Sequence, residues 1–370
     1  MAIHSDDQVA ATQTGEVSTE LKRVMGPKLL LLFIVGDILG TGVYALTGDV
    51  AEKVGGAAWA PFLVAFLIAM VTAFSYLELV TKYPQAAGAA LYTHRAFGIH
   101  FLTFMVAFAV MCSGITSAST ASRAFASNLA KGFGLDTTNK TLVMLIALGF
   151  MALVMAVNFR GVGESVKANI VLTAVELSGL LLVILVGFYA LFAGKTDFSR
   201  TMVFESGDDK SAFLAVTAAT ALAFFAMVGF EDSVNMAEET KDPVRTFPRM
   251  MILGISITGV IYLLVALFSV AIVPVGDLGA SDTPLVTVVE TAAPGVPIKT
   301  LLPFISMFAV ANSALINSTC SWRAGCSTGW LDKMSCRRFW DGFTRAARPR
   351  GLPSSSPPRS RSRSSSWSPT

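Results

Sequence analysis

Read for polarity alone, the chain is a series of long apolar runs separated by short polar stretches. A helix that crosses the hydrocarbon core of a bilayer needs about 20 mostly apolar residues. Runs of that kind lie at 28–50, 59–80, 101–127, 141–158, 168–194, 211–236 and 250–273, with a further one beginning at 299–318. The pattern predicts an all-α integral membrane protein with seven full spans and part of an eighth.

Two of these spans depart from the pattern. The first contains "VGDILGTGVY", where Gly36, Gly40 and Gly42 crowd a helix that also carries Asp37 at membrane depth. The sixth contains "FFAMVGFEDSVNMAEETKDP", with Gly229 close to Glu231 and Asp232. A glycine costs about 1 kcal/mol in a helix interior, so three in seven positions argue for an interrupted helix. The alternative is close helix packing through small residues. The matching positions of the two segments favour interruption, because broken helices at corresponding places in two halves mark a transporter's substrate site. Spans 1 and 6 are five apart, as a five-plus-five inverted repeat requires.

Composition supports a membrane location and narrows the function. The chain is 53% hydrophobic and only 14% charged, too apolar for an ordinary soluble domain. Its net charge of +3 is misleading, since residues 319–370 hold ten Lys/Arg against two Asp. Without them, 18 basic and 23 acidic residues leave a net of −5, which gives no reason to expect a nucleic-acid partner. One cysteine, Cys112, in the first 318 residues excludes a disulfide framework there. The polar, acid-bearing N-terminus lacks the parts of a cleaved signal peptide. The N-terminus and the loops 81–98, 159–167 and 237–249 share one side and carry ten Lys/Arg, among them Lys82, Arg95, Lys241 and Arg245. The other side of the main body carries eight, a bias that places the N-terminus in the cytoplasm. No phosphate-binding loop of the Walker type is present. His94 and His100 have no second ligand at metal spacing, and no cofactor is expected.

From about Leu21 to Asn317 the chain resembles the amino acid–polyamine–organocation (APC) permeases. The likeness rests on "GDILGTGVY" in span 1, "FSYLELVTKYPQAAGAALYTHRAFG" after span 2, "GVGESVKANIVLTAVELSGL" opening span 5 and "GFEDSVNMAEETKDPVRTFP" closing span 6. It implies a LeuT-type fold of ten core helices in two inverted repeats, incomplete here. Spans 1 and 6 would unwind at mid-membrane to hold an amino acid, moved by alternating access in a bacterial inner membrane. Where a helix breaks, freed N–H groups and a positive dipole end suit a carboxylate, and freed carbonyls suit an ammonium group.

Carried over by position, Thr41 and Gly42 beside Gly40 would meet the substrate carboxylate. The carbonyls of Ile38, Phe225 and Val228 would meet its ammonium at the Gly229 break. Phe225 stands where relatives place an aromatic over the substrate, although packing is the commoner use of a phenylalanine. Glu231 is a candidate gating or side-chain-reading group. Ser313 and Asn317, four apart and so on one helix face, would face the site from span 8. Glu176 occupies a span 5 position where some relatives carry a lysine linked to proton coupling. It is either a coupling group or a structural partner of the broken backbone. The expected partners are an amino acid, a coupling ion (a proton first) or an exchanged amino acid, and the lipid bilayer. The chain is not expected to be an enzyme. The alternatives are a non-transporting membrane sensor or accessory protein, and a membrane-tethered nucleic-acid binder.

The organisation predicted is a cytoplasmic segment at 1–24, a permease domain at 25–318 and a distinct tail at 319–370. In the tail Cys320, Cys326, Cys336, Trp322, Trp330, Trp340 and Trp367 arrive together, before "PSSSPPRSRSRSSSWSPT". A zinc site fits poorly, for there is no C-x2-C pair. An Arg/Ser segment for RNA or phosphorylation leaves the tryptophans unexplained. Out-of-frame translation accounts for all of it. Codons for Ser, Cys, Trp and Phe mostly begin with T, and in the shifted frame that T becomes a middle base encoding Leu, Ile, Val, Met or Phe. Phe339–Trp340 must then give Leu, and Trp340–Asp341 must give Gly. A frameshift within span 8 is therefore expected, with a disordered tail and an inactive 370-residue product.

Overall fold

The computed structural model describes residues 23, 25–85, 88–135, 139–160, 162–205, 211–294 and 298–327; the side chains of 41, 158–160, 162–168, 298–301 and 317–327 are outside that description. These residues belong to one structural unit, Met1–Thr328. Nearly all of residues 1–24, and residues 328–370 of the expected tail, lie outside the described residues.

The helices are α1 (Pro27–Val54), α2 (Trp59–Lys82), α3 (Gly88–Phe97), α4 (His100–Gly132), α5 (Lys140–Arg160), α6 (Val162–Phe192), α7 (Ala212–Met227), α8 (Pro243–Ile272), α9 (Val275–Gly279), α10 (Pro284–Ala292) and α11 (Ile298–Ser327). Seven segments are long and apolar enough to cross a membrane, the sixth being α7 continued through the 3-10 helix Asp232–Glu239. They coincide with the seven runs read from polarity. Residues 302–316 of α11 form a shorter apolar stretch, and its backbone stays helical to Ser327, nine residues beyond 318. No proline stands in 319–327 to stop a helix already propagating. The short helices α3, α9 and α10 were not foreseen, because none is long enough to give a span-like apolar run.

Each span begins and ends for local reasons. Pro27 occupies the first helical position of α1, where a missing N–H costs nothing. Gly55 closes the helix with φ +69°, a conformation that favours glycine. In α2, Phe62, Ala65, Ala69, Ala73 and Leu77 are buried at helical spacing, which lets small residues bring α2 against α7 and α8. The opposite face exposes Leu67, Val71 and Phe74. Large exposed apolar side chains also cover α4, α5 and α6, among them Phe108, Leu148 and Leu185. In water such faces would be a liability; in a bilayer they are the natural outer surface.

Helix α1 is the central post, packed against α6, α7, α8 and α11. Its two ends are tied down differently. At one end Met25 pairs with the end of span 6, through Met25 N–H to the Glu239 carbonyl (2.9 Å) and Lys241 N–H to the Met25 carbonyl (2.9 Å). At the other, the Val54 carbonyl accepts from Glu205 N–H (3.3 Å), and Trp59 Nε1 donates to the Thr201 carbonyl (3.0 Å). The start of span 1 and the end of span 6 thus lie together, as related repeats would place them. Helix α3 packs on the same 3-10 segment, which gathers the loops 81–98 and 237–249 at one end of the bundle.

Candidate functional site

Both abnormal spans are broken. Within α1, Gly40 is non-helical at φ 15°, ψ −150°. Helix α7 stops at Met227, Val228 is extended, and Gly229 takes φ +140° before the 3-10 helix begins. Glycine is needed at Gly229 for that φ and also for space. A Cβ there would lie 2.9 Å from the Asp37 carbonyl carbon and oxygen. At Gly42 a Cβ would meet Ala226 Cα at 2.4 Å, and at Gly36 it would meet Thr173 Oγ1 at 1.9 Å. The glycines of span 1 therefore serve both readings of the sequence: one permits a break, and the others permit close approach to spans 5 and 6.

The two breaks open on one cavity. Span 1 contributes Asp37, Ile38, Gly40, Gly42 and Leu46, and span 6 contributes Phe225, Ala226 and Val228. Ser117 and Thr120 of α4 and Ser313 of α11 complete the wall. Six of the expected site residues, Ile38, Gly40, Gly42, Phe225, Val228 and Ser313, are thus brought together. A Cβ on Gly40 would touch Ser313 Oγ at 2.9 Å, so span 8 reaches the break directly. The backbone of Thr41 lies within the same interrupted stretch. Its side chain, and that of Asn317, are outside the described residues.

Several groups are already engaged. Glu231 Oε2 accepts from Gly229 N–H at 2.9 Å, so this carboxylate caps an amide freed by the break. Phe225 uses its carbonyl to accept from Val228 N–H at 3.3 Å. Most of the remaining work falls to a residue the sequence reading missed. Tyr262 of α8 is fully buried, with its hydroxyl 2.5 Å from the Ile38 carbonyl, 2.8 Å from that of Leu39 and 3.0 Å from that of Ala226. These carbonyls flank the two breaks, where regular helical partners are lost. A tyrosine inside an apolar span was the available signal, since its hydroxyl must find an acceptor there.

Glu176 does not line the cavity. It stands one layer behind, fully buried, with Oε2 accepting from Asn312 Nδ2 at 3.2 Å and Oε1 unpartnered among the described residues. Asn312 also approaches Thr173 Oγ1 (3.1 Å) and the Gly36 carbonyl (3.5 Å), and Asn169 donates to its side-chain oxygen at 3.0 Å. The Tyr44 hydroxyl donates to the Glu176 backbone carbonyl at 2.9 Å. This network joins spans 1, 5 and 8, and it ends one residue from Ser313 in the cavity wall. Asn312 was overlooked because helical spacing drew attention to Ser313 and Asn317.

Residues 27–332 match the family model described as "Amino acid permease". The branched-chain amino acid permease BcaP of Bacillus subtilis (strain 168) is 27% identical over 301 residues, covering 77% of this chain and 62% of the relative. The mitochondrial cationic amino acid transporter 3 of Arabidopsis thaliana is 28% identical over 295 residues, covering 76% of this chain and 47% of the relative. The chain therefore spans about half to three fifths of the length of these relatives. Among solved structures, the nucleobase-cation-symport-1 family transporter MHP1 in a closed conformation aligns with a TM-score of 0.57 at 13% identity, over 84% of this chain and 68% of that one. A manganese transporter of Eremococcus coleocola aligns with a TM-score of 0.51 at 14% identity, over 80% of this chain and 65% of that one. These likenesses show an APC-type, LeuT-like fold.

Proposed function

Since the chain belongs to the amino acid permease family, we propose that it takes part in secondary-active transport of an amino acid, held between the unwound parts of spans 1 and 6. The observation that carries this reading is the convergence of the Gly40 and Val228–Gly229 breaks on one cavity. Freed amides after the span 1 break, at Thr41 and Gly42, suit a carboxylate, and the apolar face of Phe225 suits a side chain. The names of the two relatives, one for branched-chain and one for cationic amino acids, set the substrates to try first. The membrane is a bacterial inner membrane with the N-terminus in the cytoplasm. The coupling partner is a proton or an exchanged amino acid, with Glu176 and its Asn312 contact as the coupling element.

Residues 319–370 are the out-of-frame product of a frameshift near codon 318. Sequencing the gene across codons 315–322 tests this directly. The transport reading is tested by measuring saturable binding of labelled L-leucine and L-lysine to the purified protein, and uptake into proteoliposomes by a frame-restored version. Uptake that saturates and is competed by unlabelled amino acid is expected. A frame-restored protein that binds and moves neither class overturns the proposal.

A further inference from the structure

Asp37 has no part in the site as read from the broken helices, yet it belongs to the cavity wall. The residue is 3% exposed, and neither of its carboxylate oxygens has a hydrogen-bond partner among the described residues. Its charged neighbours worsen the situation, for the groups that act on it electrostatically are Asp232, Glu231 and Glu176, all acids. Among the described residues, no lysine, arginine or histidine lines the cavity. The ion pairs among the described residues, Lys131–Glu290, Arg200–Asp197 and Arg245–Asp242, leave all four acids out.

A buried carboxylate with neither donor nor counter-charge is among the least favourable groups a fold can hold. At membrane depth it calls for a function. Resting on the transport reading above, we propose that the Asp37 carboxylate is the counter-charge for a primary ammonium group of the cargo. An ammonium brings three donors and one positive charge, and Asp37 has the acceptor capacity for it. The nearby carbonyls of Ile38, Leu39 and Ala226 already surround the Tyr262 hydroxyl. Ser117 and Thr120 supply further hydroxyl oxygens from α4. Phe225 and Leu46 in the same wall offer apolar surface to the carbon body of an organic cation, which a bare metal ion does not need.

The ammonium is either the α-amino group or a second one on the cargo's side chain, and the probes separate these. Binding of labelled L-leucine, L-lysine and the diamine cadaverine is measured on the purified 370-residue protein in nanodiscs and sodium-free buffer. The deaminated leucine analogue 4-methylpentanoate serves as a competitor. Asp37→Asn is expected to weaken ammonium-bearing probes about 10- to 150-fold, the size of a hydrogen bond to a charged group. It should also leave the ligand-free melting temperature unchanged or raised, because it removes an unpaired buried charge. Loss for leucine identifies the α-ammonium, while loss for lysine and cadaverine alone identifies a side-chain ammonium; both support the proposal. Unaltered affinities in Asp37→Asn overturn it, as does a variant that fails to fold, which would make Asp37 structural. Displacement by 4-methylpentanoate as effective as by leucine excludes the α-ammonium, and together with unchanged lysine and cadaverine affinities in Asp37→Asn it overturns the proposal. A parent protein that binds cadaverine but no amino acid sinks the amino acid reading and keeps this one. A parent that binds none of the probes sinks both.

Discussion

Replacing Tyr262 with phenylalanine isolates one atom at the centre of the site. The ring is retained, and with it the edge-to-face contact with Phe62 at 6.0 Å between centroids. Only the hydroxyl is lost, leaving the carbonyls of Ile38, Leu39 and Ala226 without it. A single O–H donates one proton, so the loss is that of one shared bond and not three. Hydrogen bonds between membrane helices average about 0.6 kcal/mol, with a maximum near 1.7. The whole of that range is open here, because carbonyls beside a break have lost regular helical partners and those of Ile38, Leu39 and Ala226 belong to buried residues.

Converted to equilibrium constants, about 0.6–1.7 kcal/mol is roughly a 3- to 20-fold change. The hydroxyl clasps both broken spans, so the change should appear in substrate affinity as well as in stability. Thermal unfolding of the purified variant in detergent and its dissociation constant for a bound amino acid provide the two readings. A lowered midpoint with affinity weakened 3- to 20-fold is expected. If Tyr262→Phe matches the parent in both, the hydroxyl does not hold the breaks in register, and the clasp is an incidental contact.

Three further outcomes are expected. Gly42→Val should abolish amino acid binding while membrane insertion persists, because even a Cβ there lies 2.4 Å from Ala226 Cα and must push span 1 off span 6; wild-type affinity would refute the site. Glu176→Gln keeps an acceptor for Asn312 but cannot exchange a proton, so uptake by a frame-restored protein should lose its dependence on external pH, whereas an unchanged pH profile would make the residue structural. The 370-residue chain should bind substrate without moving it, with uptake appearing after a one- or two-base edit near codon 318; robust uptake by the unedited chain would refute the out-of-frame reading of the tail.

The sequence revealed the spans because their cause is local. A bilayer imposes one length and one polarity on every crossing, so the runs at 59–80 and 250–273 needed no tertiary information to be read. The breaks were legible for a similar reason, since Gly40 and Gly229 mark places where a helix interior tolerates little else. What could not be read was who satisfies the broken backbone. The groups beside the breaks are ordinary main-chain carbonyls, identical in every residue, and their partner Tyr262 lies 224 positions from Ile38. The same holds for Asn312, whose contacts with Gly36, Asn169 and Thr173 arise only when spans 1, 5 and 8 are packed.

Asp37 and Glu231 show the limit most clearly, because both are acids beside a break and local pattern treats them alike. The fold separates them by geometry. Glu231 reaches back to the Gly229 amide and caps the broken end of span 6, so its charge is met by the backbone it follows. Asp37 precedes its own break at Gly40, and neither of its oxygens has a hydrogen-bond partner among the described residues. A helix break frees amides on its C-terminal side and carbonyls on its N-terminal side. Glu231, after its break, thus meets a freed amide, whereas Asp37, before its break, stands on the side where carbonyls and not amides are freed. That position makes no sense for stability and good sense for holding a cation. The asymmetry predicts opposite responses in ligand-free protein: Glu231→Gln should lower the melting temperature by weakening a cap, and Asp37→Asn should not.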